Sequence, residues 1–179
     1  MCLPNLITLI RIALIPCFLA LLLRYRDSGV ESFRWGTLIV FAVAAASDAL
    51  DGLIARRTGR KSVLGAFLDP AADKLLLNTA VIALSLPMGH LARFPVWFPI
   101  LVISRDLVIV LGSLLIHMIR GKLTPSPSVT GKCTTFFQVL AVVWILLLWP
   151  YQMIPLSLAA ALTVISGIEY VIIGVKQLR

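Results

Sequence analysis

The sequence predicts an all-α integral membrane protein, with six transmembrane helices, an amphipathic N-terminal start and one membrane domain over residues 1–179. Three observations predict it. Sixty per cent of the residues are hydrophobic and only 13% are charged, whereas a soluble domain carries about 25% charged residues. The apolar residues fall in long runs, and about 20 such residues cross a bilayer. The net charge of +8 comes from positives gathered in the short loops between those runs. That placement reads as membrane topology and contact with anionic lipid, and it argues against nucleic acid as a partner. The length leaves little room for a separate soluble catalytic module, so any chemistry is expected in the helices or their loops.

The first span is expected from about Leu3 to Leu23. Asn5, Thr8 and Arg11 make its start amphipathic and suited to the interface. It has no basic lead before the apolar run and no small-residue cleavage site, so it reads as a retained helix rather than a signal peptide. A polar loop, Arg24 to Arg34, precedes a second span from about Trp35 to Ala55. The basic turn Arg56–Lys61 leads to a third span from about Val63 to Leu86, and Pro87 to Pro95 breaks the pattern. The fourth span runs from about Val96 to Ile119, the fifth from about Lys132 to Trp149, and the sixth ends near Val175. Six spans put both termini on one side. The loops after spans two and four, with the C-terminal end, hold nine positives, against four in the opposite loops. The richer side is expected to face the cytoplasm. Trp35, Trp97 and Trp149 stand near span ends, as interfacial anchors do. Cys2, Cys17 and Cys133 are scattered and odd in number, so no disulfide framework is expected.

Of the eight carboxylates, Asp48, Asp51, Asp69 and Asp73 gather on spans two and three. A charged group inside an apolar span costs at least about 2.5 kcal/mol, so such residues are functional candidates. Asp48 and Asp51 are three apart and share a helix face; Gly65, Asp69 and Asp73 are spaced by four and form one stripe. The short connection makes the two helices antiparallel neighbours, which brings all four acids to a similar depth near the cytoplasmic surface. Four unpaired carboxylates repel one another, and a divalent cation removes the conflict. Oxygen-only ligands favour Mg²⁺ or Mn²⁺, and four Asp suit two ions. Gly52, Ala55 and Gly65 leave room for a phosphate or nucleotide, and Arg56 offers it a fixed donor. Glycines here also serve simple helix packing, and Arg56 could be only a topology charge. A cation transporter is the alternative of a different class; it leaves the glycines and Arg56 unexplained, and no internal repeat supports it.

Read together, these residues form D-x-x-D-G-x-x-A-R, eight residues, then G-x-x-x-D-x-x-x-D. The pattern resembles the signature of the CDP-alcohol phosphatidyltransferases, with every specified position matched over 26 residues. The Pro4-Asn5-Leu6-Ile7-Thr8 start and Gly131-Lys132 at the opening of span five extend the likeness over most of the chain. The resemblance implies six transmembrane helices, usually in a homodimer. It implies transfer of a phosphatidyl group from CDP-diacylglycerol to an alcohol with release of CMP, in a bacterial cytoplasmic membrane. By position, Asp48, Asp51 and Asp69 would ligate the metals, and Asp73 would be both ligand and base. Gly52, Ala55, Arg56 and Gly65 would line the CDP site.

The acceptor is less legible. Arg105 and Asp106 lie inside span four and either neutralise each other or face the acceptor, with Arg105 on its phosphate. Lys132 and Arg11 could complete a basic pocket, although Lys132 serves equally as a topology charge. Such cations favour a phosphorylated acceptor. Glycerol 3-phosphate is expected first, phosphatidylglycerol (the cardiolipin-forming branch) second, and inositol phosphate third. His90, His117 and Glu169 receive no role from the sequence.

Overall fold

The computed structural model describes residues 3–58, 74–87, 89, 91–120 and 129–178. All regular structure among them is helical. In chain order the helices are α1 (Leu3–Ser28), α2 (Glu31–Thr58), α3 (Lys74–Ala83), α4 (Trp97–Arg120), α5 (Val129–Leu146) and α6 (Met153–Leu178). The described chain divides into two compact units: Met1–Arg93 with Leu146–Leu148, and Phe94–Ile145 with Trp149–Arg179.

In the first unit α1 packs against α2. The expected polar loop between them is largely helical. Helix α1 continues through Arg24–Asp27 and stops at Gly29, whose φ of 67° is the left-handed value that ends helices. The Gly29 amide donates to the Tyr25 carbonyl at 2.8 Å, closing the last turn. Hydropathy marks where a helix leaves the hydrocarbon layer, not where it stops, and Arg is a good helix former. Phe18 of α1 meets Phe41 of α2 with ring centroids 5.8 Å apart, both fully buried. Leu76, Ala80, Val81 and Leu84, on α3 and just beyond it, are buried in the same unit. At the start of α2, Arg34 is buried and gives Nη1–H to the Leu146 carbonyl at 2.6 Å and Nε–H to Glu31 at 2.7 Å. Burial, then the Glu31 carboxylate, pushes the Tyr25 phenol above its usual pKa at this helix end.

The inward stripe of α2 reads Arg34, Thr37, Phe41, Ala44, all buried at spacings of three and four. The helix continues without a break to Thr58. Carried forward, the same register arrives at backbone positions 48, 51 and 55.

The second unit contains α4, α5 and α6, each long and apolar enough to cross a membrane. Their outward sides carry Ile100, Leu111, Ile165 and Ile168, all more than half exposed. Such surfaces are costly in water and neutral in lipid. Helix α4 packs on α6. The Pro87–Pro95 break stands as expected, and α4 begins at Trp97. The α5–α6 turn is closed by Trp144, which donates Nε1–H to the Pro150 carbonyl at 2.9 Å and meets Trp149 edge-on at 4.7 Å. Trp35, Trp97 and Trp149 are each about half exposed at helix ends, where an interfacial ring belongs.

Candidate active site

The acidic motif divides between described and undescribed chain. Asp48, Asp51, Gly52, Ala55 and Arg56 lie on the last turns of α2, whose backbone is described although these side chains are not. Gly65, Asp69 and Asp73 lie outside the described residues. Among the described side chains no group of three His, Cys, Asp or Glu is placed to hold a metal ion. The basic part of the candidate site lies among the described side chains. Arg11 sits on α1 and its side chain is also outside the described set.

Arg105 is the centre of that part. It stands on the inward stripe of α4 with Phe98 and Val102, and only 8% of it is exposed. Nη1 donates to Asp106 Oδ1 at 3.0 Å, so of the two arrangements the sequence left open the pairing with its neighbour does form. Nη2 donates to the Ser166 hydroxyl of α6 at 2.7 Å. The guanidinium also lies over the Tyr170 ring, 5.6 Å from its centre, a cation–π contact strengthened by burial. Gly167 lets α6 come close: a methyl added there would stand 3.7 Å from Arg105 Cγ. Arginine carries five N–H donors. The buried Nε–H has no partner among the described residues. An unsatisfied buried donor costs about 1–3 kcal/mol, and an anionic ligand would remove that cost.

The polar partners of Arg105 belong to a larger pattern. The inward stripe of α6 runs Leu156, Ala159, Thr163, Ser166, changing from apolar to polar along the helix. Helix α5, running the other way, has Ala141, Val142 and Ile145 at its apolar end and Thr134 and Gln138 at its polar end. The two polar ends meet. Gln138 Nε2 donates to Thr163 Oγ1 at 3.0 Å, and the Thr134 hydroxyl lies 3.0 Å from the Leu162 carbonyl. One turn further, the Thr130 hydroxyl donates to the Glu169 carboxylate. Lys132 lies between Thr130 and Thr134 on the first turns of α5, exposed and without an ion pair among the described residues. The sequence singled out Arg105 and Lys132, left Glu169 without a role, and did not identify Ser166 and Tyr170 as their neighbours. The 3–4 spacing of Thr163, Ser166 and Tyr170 within an apolar helix was the available signal.

Comparison with known proteins supplies the family. The chain matches the CDP-alcohol phosphatidyltransferase model over residues 1–165. It belongs to that family, and is thus an enzyme of the class that uses CDP-linked alcohols. Helices α1 to α5 and the first half of α6, with the whole acidic motif, fall inside the match. Among curated relatives, a probable phosphatidylglycerophosphate synthase of Mycobacterium tuberculosis is 36% identical over 174 residues, covering 94% of this chain and 79% of the relative. A CDP-diacylglycerol–glycerol-3-phosphate 3-phosphatidyltransferase of Bacillus subtilis is 34% identical, covering 94% of this chain and 92% of the relative. A CMP-forming cardiolipin synthase of Streptomyces coelicolor is 36% identical over 135 residues, covering 74% of this chain and 59% of the relative.

Proposed function

We propose that this chain transfers the phosphatidyl group of CDP-diacylglycerol to glycerol 3-phosphate, forming phosphatidylglycerophosphate and releasing CMP. The observation that carries the acceptor class is Arg105: a buried cation, held from two sides, with a donor left unpaired. A phosphate monoester offers the acceptor oxygens that such a donor lacks. Names of relatives that cover most of the chain support the same acceptor.

In this reading the nucleotide half of the site is the Asp motif. Gly52, Ala55, Arg56 and Gly65 would line the CDP moiety, and Asp48, Asp51, Asp69 and Asp73 would hold two divalent ions. The donor set fits that role, because it is oxygen-only, and the unbroken helix α2 keeps positions 48 and 51 on one face. Bound Mg²⁺ or Mn²⁺ would neutralise the diphosphate and make the acceptor hydroxyl more acidic. Asp73 takes the hydroxyl proton. The acceptor oxygen forms its bond to the phosphatidyl phosphorus as the bond to CMP breaks. Arg105, with Lys132 and Arg11, holds the acceptor's phosphate so that its free hydroxyl, not its charge, meets the reacting phosphorus. The excess of positives on one side supports a cytoplasm-facing site in a bacterial cytoplasmic membrane. All six helices crossing the bilayer, and a homodimer, belong to the proposal as well. Cross-linking in membranes tests the dimer.

A second reading has phosphatidylglycerol as acceptor, which would make this a cardiolipin synthase. The Streptomyces coelicolor relative favours it. The deciding experiment offers purified protein CDP-diacylglycerol with Mg²⁺ or Mn²⁺ and each acceptor in turn, and follows CMP. Glycerol 3-phosphate is expected to support turnover and phosphatidylglycerol to give little. The reverse order establishes the second reading, and no CMP with any acceptor, inositol phosphate included, ends both.

A further inference from the structure

Helix α6 contributes no residue to the acidic motif, yet its polar side engages both cationic elements. Ser166 accepts a hydrogen bond from Arg105 at 2.7 Å, and the Tyr170 ring lies 5.6 Å beneath the same guanidinium. Glu169 accepts from Thr130 in the first turn of α5, two residues before Lys132. Glu169 is a carboxylate within a 24-residue apolar span, a position that is costly without a purpose. Ser166 is fully buried, although a serine there adds nothing to apolar packing. Each polar group is used in the same way: it fixes a neighbouring helix at the point where that helix carries a cation.

We propose that Ser166, Glu169 and Tyr170 are the positioning residues of the acceptor site, Ser166 and Tyr170 orienting Arg105 and Glu169 fixing the start of α5 that bears Lys132. The inference rests on the reading of Arg105 and Lys132 as acceptor-phosphate donors. Ser166 takes one Nη2–H, Asp106 takes one Nη1–H, and Tyr170 covers one face of the guanidinium plane. The rotamer is thereby determined, with Nε–H left unpaired among the described residues. Glu169 acts on the α5 backbone: α5 is one continuous helix from Val129, so holding Thr130 sets the axial position and rotation of Lys132. Misplacement by a fraction of an ångström weakens acceptor binding, while the nucleotide half of the site, on other helices, is left alone.

The test uses full-length protein in mixed micelles, with the Michaelis constants for glycerol 3-phosphate and CDP-diacylglycerol measured separately. Ser166→Ala and Glu169→Leu are each expected to raise the acceptor KM about 5- to 20-fold, less than the roughly 10- to 150-fold for losing a charged hydrogen bond to the acceptor itself, because they displace the donor rather than remove it. The KM for CDP-diacylglycerol should stay within about twofold, since no charge-assisted contact to it is lost. Glu169→Gln keeps an oxygen acceptor for Thr130 and should restore the acceptor KM to within about threefold of wild type. Thr130→Val removes the same bond from the α5 side without touching α6, so it remains informative if a stripe variant does not fold. Combined with Glu169→Leu it should cost no more than either alone. Additive losses, an unchanged acceptor KM, or equal increases in both KM values overturn the positioning role. Arg105→Met and Lys132→Ala separate the two levels. If these leave the acceptor KM unchanged, the acceptor reading itself fails. If they raise it while the α6 variants do not, only the positioning inference fails.

Discussion

Replacing Arg105 with methionine is the perturbation with the most to say about the acceptor site. Methionine keeps an unbranched stem beside Gly167, where a methyl on the glycine would stand 3.7 Å from Arg105 Cγ, so packing is largely preserved. What is lost is the guanidinium, with its bonds to Asp106 at 3.0 Å and Ser166 at 2.7 Å. Breaking a buried ion pair costs about 3–5 kcal/mol. The Asp106 side chain is 15% exposed, so solvent offsets part of this and the expected loss of stability is about 2–3 kcal/mol. The effect on binding is separate. One hydrogen bond between charged groups contributes about 1.5–3 kcal/mol. Its loss raises the acceptor KM about 10- to 150-fold. The assay is CMP release in mixed micelles at a temperature where the variant is folded, with each substrate varied at a saturating level of the other. A rise confined to glycerol 3-phosphate is expected. Equal rises for both substrates, or none for the acceptor, would refute the assignment and leave Arg105 and Asp106 as a structural pair. Lysine should not rescue, because one ammonium cannot reproduce the guanidinium's fork toward Asp106, Ser166 and a ligand.

Three further predictions follow from the same reasoning. Asp73→Asn should nearly abolish turnover while CDP-diacylglycerol binding stays measurable; turnover at the wild-type rate would remove Asp73 as the base. Chelation of divalent ions should stop CMP release, with Mg²⁺ or Mn²⁺ restoring it; full activity in excess chelator would contradict the role of the four Asp. Arg34→Met should leave the Leu146 carbonyl and Glu31 without its bonds of 2.6 and 2.7 Å. It should lower stability by about 2–4 kcal/mol, a drop of roughly 5–10 °C in the melting temperature in detergent, and an unchanged Tm would show that the buried arginine is not a structural tie.

The sequence carried the helices well but not their ends. The apolar runs placed α4 within a residue of its described bounds, because a transmembrane helix needs only local hydrophobicity. The same criterion placed a loop at Arg24–Arg34 where helix continues to Ser28, since helix formation outlasts the hydrocarbon layer. It also began span five at Lys132, one turn after the helix starts at Val129. The candidate site was legible in proportion to how local its geometry is. Asp48 and Asp51 on one helix face follow from a spacing of three, and the buried register of Arg34, Thr37, Phe41 and Ala44 runs into those positions. Whether Arg105 pairs with Asp106 was open in the sequence because neighbouring residues on a helix diverge by about 100°, and only rotamers decide whether their ends meet.

The sequence by itself determined the class of molecule, the order of its helices, the family and the shared face of Asp48 and Asp51, because each depends on composition or on a pattern of residues within one segment. The tertiary structure alone decided what surrounds Arg105. Ser166 stands 61 residues from it, and Glu169 stands 39 residues from Thr130. Such partners are set by the axial offset and rotation of packed helices, which no pattern within a single helix records. That offset brings the polar end of α6 to the two helices that bear the cations.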